Sequence, residues 1–329
     1  MIVDAHAHII VPEITRPAES DEVWRPRVVW QGTRQVVEFG GRQITSAIRE
    51  FVRIDAILEA QAAVGVDRVV LTPWVSLLRY DAGPEEGLRI SRIQNEALAR
   101  LAHTHRDQVS ALGTVPLQAP ELAARELEAL MKEPGMHGVE VAANVRGTYL
   151  GDDRFRPFWE AAEGTGALVF VHPTTRGFDL PVFEDYYLWN TIGNPLETTV
   201  AAAHLIMAGV MEAHPRLRVL LAHGGGAILN LRGRLQHAHT FQPQARSRLR
   251  EPPEESLRRF YFDTVTHDRV LLRALVDYVG CDHVLLGSDY PFDMGMVRPG
   301  EAVRALALPP SDEAKVLGGN AARLLGVEV

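Results

Sequence analysis

The sequence predicts a (β/α)8 TIM barrel with a small hairpin-bearing insertion after its first strand. Short apolar runs alternate with helix-period segments along nearly the whole chain, as parallel barrels require. No Gly-rich dinucleotide loop follows the first strand, which argues against an open doubly wound sheet. Ionisable residues, His6, His8, His172, His223 and Asp289, stand at the ends of predicted strands, where barrel enzymes carry their chemistry. At 329 residues the chain exceeds one core of roughly 100–200 residues, but barrels run to about 250 or more as one domain. Residues 1–329 are therefore expected to form a single domain, with 11–49 as a lid or substrate-binding subregion.

The first strand is the apolar run Ile2-Val3, delivering His6-Ala7-His8. Period-two geometry puts both imidazoles on one side of an extended strand, where they can share a divalent ion. The stretch from Val11 to Arg49 is rich in Pro, Arg and Trp, with alternating runs at Arg27–Trp30 and Gln35–Phe39 that read as a hairpin. From Arg53 the strand–helix rhythm begins. Ile54, Ile57, Leu58 and Ala62 fall at helical spacing, and Gly65 ends that helix before a strand at Arg68–Leu71. Leu88–Ala102 reads as a helix, Val109–Gly113 as a strand, Pro120–Leu130 as a helix and Gly138–Val141 as the fourth barrel strand. Phe155–Glu163 is the next helix, and Ala167–Val171 the fifth strand, ending at His172-Pro173. Pro195 opens a long helix through Ala213. Arg218–Ala222 is the sixth strand, ending at His223, and a helix follows Gly224-Gly225-Gly226 towards His239. Arg259–Phe262 is the seventh strand, Arg269–Val279 its helix, and Val284–Leu286 the eighth strand, ending in Gly287-Ser288-Asp289. A closing helix is expected over Asp312–Leu325.

Hydrophobic residues make up 46% of the chain and charged ones 23%, ordinary values for a globular enzyme. The net charge of −8 gives no basic footprint for nucleic acid, so a carboxylate substrate needs locally placed arginines. Cys281 is the single cysteine, which excludes an intrachain disulfide and a cysteine metal cluster. No apolar stretch reaches the ~20 residues of a membrane span, and the first residues lack a signal-peptide pattern. A cytoplasmic protein is expected.

His172 alone is compatible with a core histidine, and Asp289 alone with a turn residue. Together with His6, His8 and His223 they have no common structural excuse, and a His/Asp set converging on one barrel end suits zinc or another first-row divalent ion. The histidines at 103, 105, 204, 214, 237, 239 and 283 fall in or beside helices or on the opposite face. His267 follows the seventh strand and could approach either the site or an interface.

Several blocks give the chain a resemblance to the amidohydrolase superfamily, on the branch containing 2-amino-3-carboxymuconate-6-semialdehyde decarboxylase. They are Asp4-Ala5-His6-Ala7-His8, Gly113-Thr114-Val115-Pro116-Leu117-Gln118-Ala119-Pro120, Phe170-Val171-His172-Pro173, Glu197-Thr198-Thr199, Ala222-His223-Gly224-Gly225-Gly226, Tyr261-Phe262-Asp263-Thr264 and Gly287-Ser288-Asp289-Tyr290-Pro291-Phe292. The resemblance implies that His6, His8, His172 and Asp289 bind one metal ion, with Zn2+ first and Mn2+ or Fe2+ as alternatives. It implies that His223 is the acid/base group and that Asp289 shares in catalysis. Arg234 matches an arginine that reaches a neighbouring subunit's site and holds substrate carboxylate, which implies a homodimer. A second carboxylate-binding arginine belongs in the insertion, where Arg42 and Arg49 are the candidates, and Trp189 falls in the aromatic pocket segment. No lysine stands at the end of the fourth strand, where Val141-Ala142-Ala143 is found, which argues against a bridged two-metal site.

The chain departs from the branch at Thr174-Thr175, where an aromatic residue is expected, and in the segment from Tyr186 to Asn190. Both departures concern substrate fit. The implied activity is non-oxidative decarboxylation of a small conjugated or aromatic carboxylic acid. The alternatives are a metal-dependent hydrolase of a lactone, amide or similar bond, and a non-enzymatic metal-binding barrel.

Overall fold

The computed structural model describes residues 1–15, 24–32, 34–39, 42–44, 51–174, 178 and 180–328. It opens with β1 (Val3–Ile9), buried throughout. The insertion contributes β2 (Arg27–Gln31), β3 (Arg34–Phe39) and β4 (Arg42–Ile44), an antiparallel three-stranded sheet. The expected hairpin is thus the first part of a larger unit. A three-residue strand behind a diglycine carries too few alternations to register as a sequence pattern.

The barrel then builds in order: α1 (Ile54–Ala63), β5 (Arg68–Pro73), α2 (Pro84–Thr104), β6 (Val109–Gly113), α3 (Pro120–Leu130) and β7 (Met136–Ala142). A small hairpin, β8 (Asn144–Val145) and β9 (Thr148–Tyr149), precedes α4 (Arg156–Thr165) and β10 (Leu168–His172). Next come α5 (Asn194–Met207), α6 (Val210–Ala213), β11 (Arg218–Leu221), α7 (Ile228–Phe241), α8 (Pro253–Leu257) and β12 (Tyr261–Asp263). The chain ends with α9 (Arg269–Val279), β13 (Val284–Leu285), α10 (Pro299–Arg304), α11 (Pro310–Ala314) and α12 (Asn320–Leu325). The eight barrel strands pair in the order β1-β5-β6-β7-β10-β11-β12-β13. No helix among the described residues is long and apolar enough to cross a membrane.

Two expected helices are interrupted. The one expected over Pro195–Ala213 breaks between α5 and α6 at Gly209, whose φ of 76° is left-handed and stops the helix. The closing helix passes through a π-helical turn at Lys315–Gly319, between α11 and α12. There a Cβ on Gly318 would lie 2.4 Å from the Met1 carbonyl oxygen, so the backbone itself packs against the start of β1.

The seam between first and last strands closes through backbone hydrogen bonds. Ala5 N donates to Leu286 O, Asp289 N to His6 O and His8 N to Tyr290 O, each at 2.8 Å. The fully buried Asp4 carboxylate reinforces it, accepting from Ser288 N (3.0 Å), the Ser288 hydroxyl, His6 N (3.1 Å) and Gln61 Nε2 (3.0 Å). Burial raises the Asp4 pKa to about 6 against these hydrogen bonds.

Val3, Ala5, Val70, Leu112, Phe170, Leu220 and Leu285 pack in one apolar cluster, while Ala7, Ile9, Val69, Leu71, Val139 and Val169 belong to another. Strict alternation along β1 would put His6 and His8 opposite Val3 and Ala5. The pairing of β1 with β5 shifts register between Asp4 and Ala7. Such an irregularity changes which face successive side chains occupy. It brings His6 against Phe170 of the first cluster, with ring centroids 4.7 Å apart.

Backbone proximity makes a local test. A Cβ on Gly226, which has φ +65°, would lie 2.0 Å from Pro195 O, whereas a Cβ on Gly233 inside α7 meets nothing within 4 Å. Gly226→Ala should destabilise the protein by about 2–4 kcal/mol. Gly233→Ala should be neutral or stabilise by up to about 1 kcal/mol. Chemical denaturation of the two variants checks the contrast.

Candidate metal centre

The C-terminal ends of β1, β10, β11 and β13 bring the expected site residues together. His6 and His8 are fully buried on β1, His172 ends β10, His223 follows β11 and Asp289 follows β13. Ligand atoms of His6, His172, His223 and Asp289 all lie within 4.8 Å of one another. His8 joins them: its Nε2 is 3.1 Å from His6 Nε2 and 3.3 Å from Asp289 Oδ1. His223 is therefore close enough to stand among the ligand atoms as well as beside them. His223 and Asp289 both have left-handed φ values, 57° and 58°, uncommon for residues with a side chain and a mark of local constraint.

The outer nitrogens orient the rings. His6 Nδ1–H donates to Asp263 Oδ2 at 2.6 Å, and His172 Nδ1–H donates to Pro173 O at 2.9 Å. His8 Nδ1 faces Pro73 O at 3.2 Å, the Thr72 hydroxyl at 2.9 Å and the Glu140 carboxylate at 3.5 Å. With Nδ1 protonated, each neutral ring turns its Nε2 lone pair inward. Those lone pairs meet Asp289 Oδ1, 3.2 Å from His6 Nε2 and 3.3 Å from His8 Nε2. Among the described residues, His172 Nε2 and Asp289 Oδ1 have no hydrogen-bond partner. Converging acceptors of this kind need positive charge between them, and a divalent cation with nitrogen and oxygen ligands fits.

Protons supply that charge when no cation does. Burial depresses His6, but the Asp289 and Asp263 carboxylates overcome it and raise its pKa to about 10. Burial opposes His8 in the same way, and Asp289 and Glu140 raise it to about 9. His172 is held well below the usual histidine value by burial and by repulsion from His8, His223 and His6. Asp289 stays well below the carboxylate range despite burial, because His6, His223 and His8 face it.

Asp263 does more than hold His6. Its carboxylate also accepts from His223 N (2.9 Å), Gly224 N (2.7 Å) and Val265 N (3.0 Å), so it sets the turn carrying His223. The motif Tyr261-Phe262-Asp263-Thr264 contained it, but strand position alone assigned it no partner. Glu140 was legible only as an acid inside the apolar strand Gly138–Val141, a buried charge that needs a partner. Glu197 on α5 accepts from Thr174 N (2.8 Å), the Thr174 hydroxyl (2.9 Å) and Asn144 Nδ2, tying the segments after β7 and β10 together.

A cavity of about 360 Å3 opens at His223 and Asp289. Asn190, Thr191, Asn230, Thr266 and Met294 line it, and so does His267. Trp189 is half-buried and packs edge-on against Tyr187 at 4.8 Å; it is not among the residues lining this cavity. Arg234 is exposed on α7. Arg42 enters β4 through its backbone, while its side chain and the whole of Arg49 lie outside the described residues. Ala142 is buried at the end of β7, and no lysine occupies that position.

Cation and proton compete for the same nitrogens. Below their raised pKa values His6 and His8 hold protons, so a metal ion must displace both, and acid favours its release. Apparent metal affinity should fall by about a hundredfold per pH unit between roughly pH 8 and 6, if two protons are displaced per ion. Competition titration against a chromophoric chelator across that range measures the slope; a flat profile would contradict the charge balance.

The amidohydrolase family matches residues 3–327. A 2-amino-3-carboxymuconate-6-semialdehyde decarboxylase from Dictyostelium discoideum is 32% identical over 266 residues, covering 80% of this chain and 74% of that protein. The fold is similar to that of 5-carboxyvanillate decarboxylase from Sphingomonas paucimobilis, with a TM-score of 0.84, 24% identity and 99% of each chain covered. It is also similar to a dihydroxybenzoic acid decarboxylase from a Polaromonas species, solved with bound manganese and 2-nitroresorcinol. That likeness has a TM-score of 0.81 and 20% identity, and covers 99% of this chain and 96% of the other. The match along almost the entire barrel, strand ends included, makes this chain a member of the amidohydrolase family.

Proposed function

We propose that the protein is a metal-dependent, non-oxidative decarboxylase of a small conjugated or aromatic carboxylic acid. The observation that carries this reading is the buried His/Asp cluster opening beside His223 into a cavity, in a chain whose relatives include named decarboxylases. His6, His8, His172 and Asp289 would hold one divalent ion, Zn2+ first among the candidates and Mn2+ or Fe2+ next. When bound, that ion supplies positive charge against which a carboxylate and developing electron density are stabilised.

The chain's own groups account for the rest. Loss of CO2 breaks the C–C bond and leaves its electron pair on the substrate carbon, where a conjugated or aromatic system spreads it. A proton must then reach that carbon. His223 is the donor in this scheme, with Nε2 3.4 Å from Asp289 Oδ2 and its backbone N–H held by Asp263. Arg234, exposed on α7, would reach the site of a second copy in a homodimer and hold substrate carboxylate, with Arg42 or Arg49 of the insertion as its counterpart; Trp189, next in sequence to the cavity-lining Asn190, is the further substrate-binding candidate. The single unpaired Cys281 fits a cytoplasmic site of action.

His223→Ala should lower kcat by about a thousandfold while the protein retains its metal. Turnover near wild type would reject the acid/base role, and loss of metal would make His223 a ligand. CO2 release should occur from members of a carboxymuconate and hydroxybenzoate panel, with no turnover of matched lactones and amides. Hydrolysis without CO2 would move the protein to the hydrolase alternative. Elemental analysis of active protein should find close to one metal per chain.

A further inference from the structure

His267, which from the sequence could approach either the site or an interface, lines the cavity at His223. Its segment follows β12, and strand order places β12 between β11, which leads to His223, and β13, which leads to Asp289. Contacts bind the segment to both neighbours. The Asp263 carboxylate accepts from His223 N (2.9 Å) and Gly224 N (2.7 Å) and also from Val265 N (3.0 Å) in its own segment. The Thr264 hydroxyl donates to Gly287 O at 3.3 Å, and Gly287 N donates to it at 3.1 Å. A Cβ on Gly224 would lie 2.7 Å from Thr266 Cγ2, so the turn carrying His267 packs directly on the turn carrying His223.

The turn is held by its own polar groups. Thr266 N donates to Thr264 O at 2.8 Å, and the Thr266 hydroxyl donates to Asp268 O at 3.1 Å. Asp268 caps α9 by accepting from Leu271 N at 2.9 Å. Between these anchors His267 is left-handed, with φ 54°, a conformation that Gly or Asn adopts at less cost. The imidazole gives the turn nothing in return. It is exposed, and among the described residues no group of the chain pairs with it. A strained, partnerless side chain in a cavity wall points to a ligand contact more than to a requirement of the fold.

The rest of the wall narrows the chemistry of that ligand. Apart from His223 and Asp289 of the cluster, His267 is the one ionisable group among the described residues lining the cavity. Asn190, Thr191 and Asn230 add uncharged polar groups, while Leu229 and Met294 supply apolar surface. About 360 Å3 holds a single substituted ring or a short conjugated chain. A second carboxylate would meet no guanidinium or ammonium group among these residues, whereas a hydroxyl finds both a donor and an acceptor on a neutral imidazole. We propose that His267 is a substrate-contacting residue that recognises a hydroxyl group on the substrate, while the scissile carboxylate lies at the histidine cluster. The word substrate rests on the decarboxylase reading, but the contact can be measured without turnover.

The test uses zinc-loaded protein and two probes, benzoate and 3,5-dihydroxybenzoate, with dissociation constants from calorimetry. Neither carries a hydroxyl conjugated with the carbon that bears the carboxylate, so neither meets the electronic demand of decarboxylation. Wild type should bind the dihydroxy acid at least about fivefold more tightly than benzoate. His267→Gly, which suits the left-handed turn, should bring that ratio within about twofold of unity. His267→Asn, with its donor and acceptor on a shorter arm, should keep part of it. His267 is also the single histidine of the tryptic peptide 260–269, so its carbethoxylation by diethyl pyrocarbonate can be followed by mass spectrometry. Saturating dihydroxy acid should slow that reaction severalfold while His103, exposed on α2, reacts as before. No preference in wild type, the same preference in His267→Gly, or undiminished labelling of His267 would overturn the contact. CO2 release from ortho- and para-hydroxylated acids is assayed separately on the same preparations. A lost preference in His267→Gly with no CO2 from any of them would support the contact and defeat the decarboxylase reading; CO2 release with an unchanged preference would do the reverse.

Discussion

The seam where the last strand meets the first is the constraint on which the rest of the site depends. His6 and His8 lie on one side of it and Asp289 on the other, so the cluster exists only if the barrel closes in one register. Asp4 sets that register by accepting from both edges, His6 N on one and Ser288 N and Oγ on the other. Three backbone hydrogen bonds run alongside. A one-residue slip would reverse the facing of the histidines, and the buried Asp4 carboxylate would lose partners it cannot replace from water. Closure of the fold and assembly of the centre are thus one event.

Charge balance is the second consequence of that closure. Imidazoles and carboxylates packed without solvent cannot all keep their ordinary ionisation states. Asp289 and Asp263 remain charged because histidines face them, and His6 and His8 are drawn towards their charged forms against the cost of burial. A cation of higher charge answers the same demand without protons. Asp263 couples this balance to geometry, since one carboxylate both fixes the His6 ring and holds the turn on which His223 sits.

Much of the barrel was legible because its strands are buried on both faces and read as continuous apolar runs. Val109–Gly113 and Arg269–Val279 have the expected boundaries. Elements defined by backbone strain or close approach were not. The break at Gly209 and the π turn at Lys315–Gly319 interrupt segments whose apolar spacing continues through them. In the candidate site, residues at strand ends stood out by position. Glu140 and Asp263 lie within strands and acquire meaning only from the histidine each one faces.

The sequence by itself determined the alternation of strands and helices, the His-x-His on the first strand and the ionisable residues that end later strands. Those are properties of local period and composition, readable without knowing what packs against what. The tertiary structure alone decided which way β1 presents its histidines, because the register shift between Asp4 and Ala7 arises from pairing with β5. It also decided the ring orientations, which depend on Asp263, Pro73 and Pro173. Side-chain direction in a closed barrel is set by neighbours distant in the chain, and no local pattern encodes it.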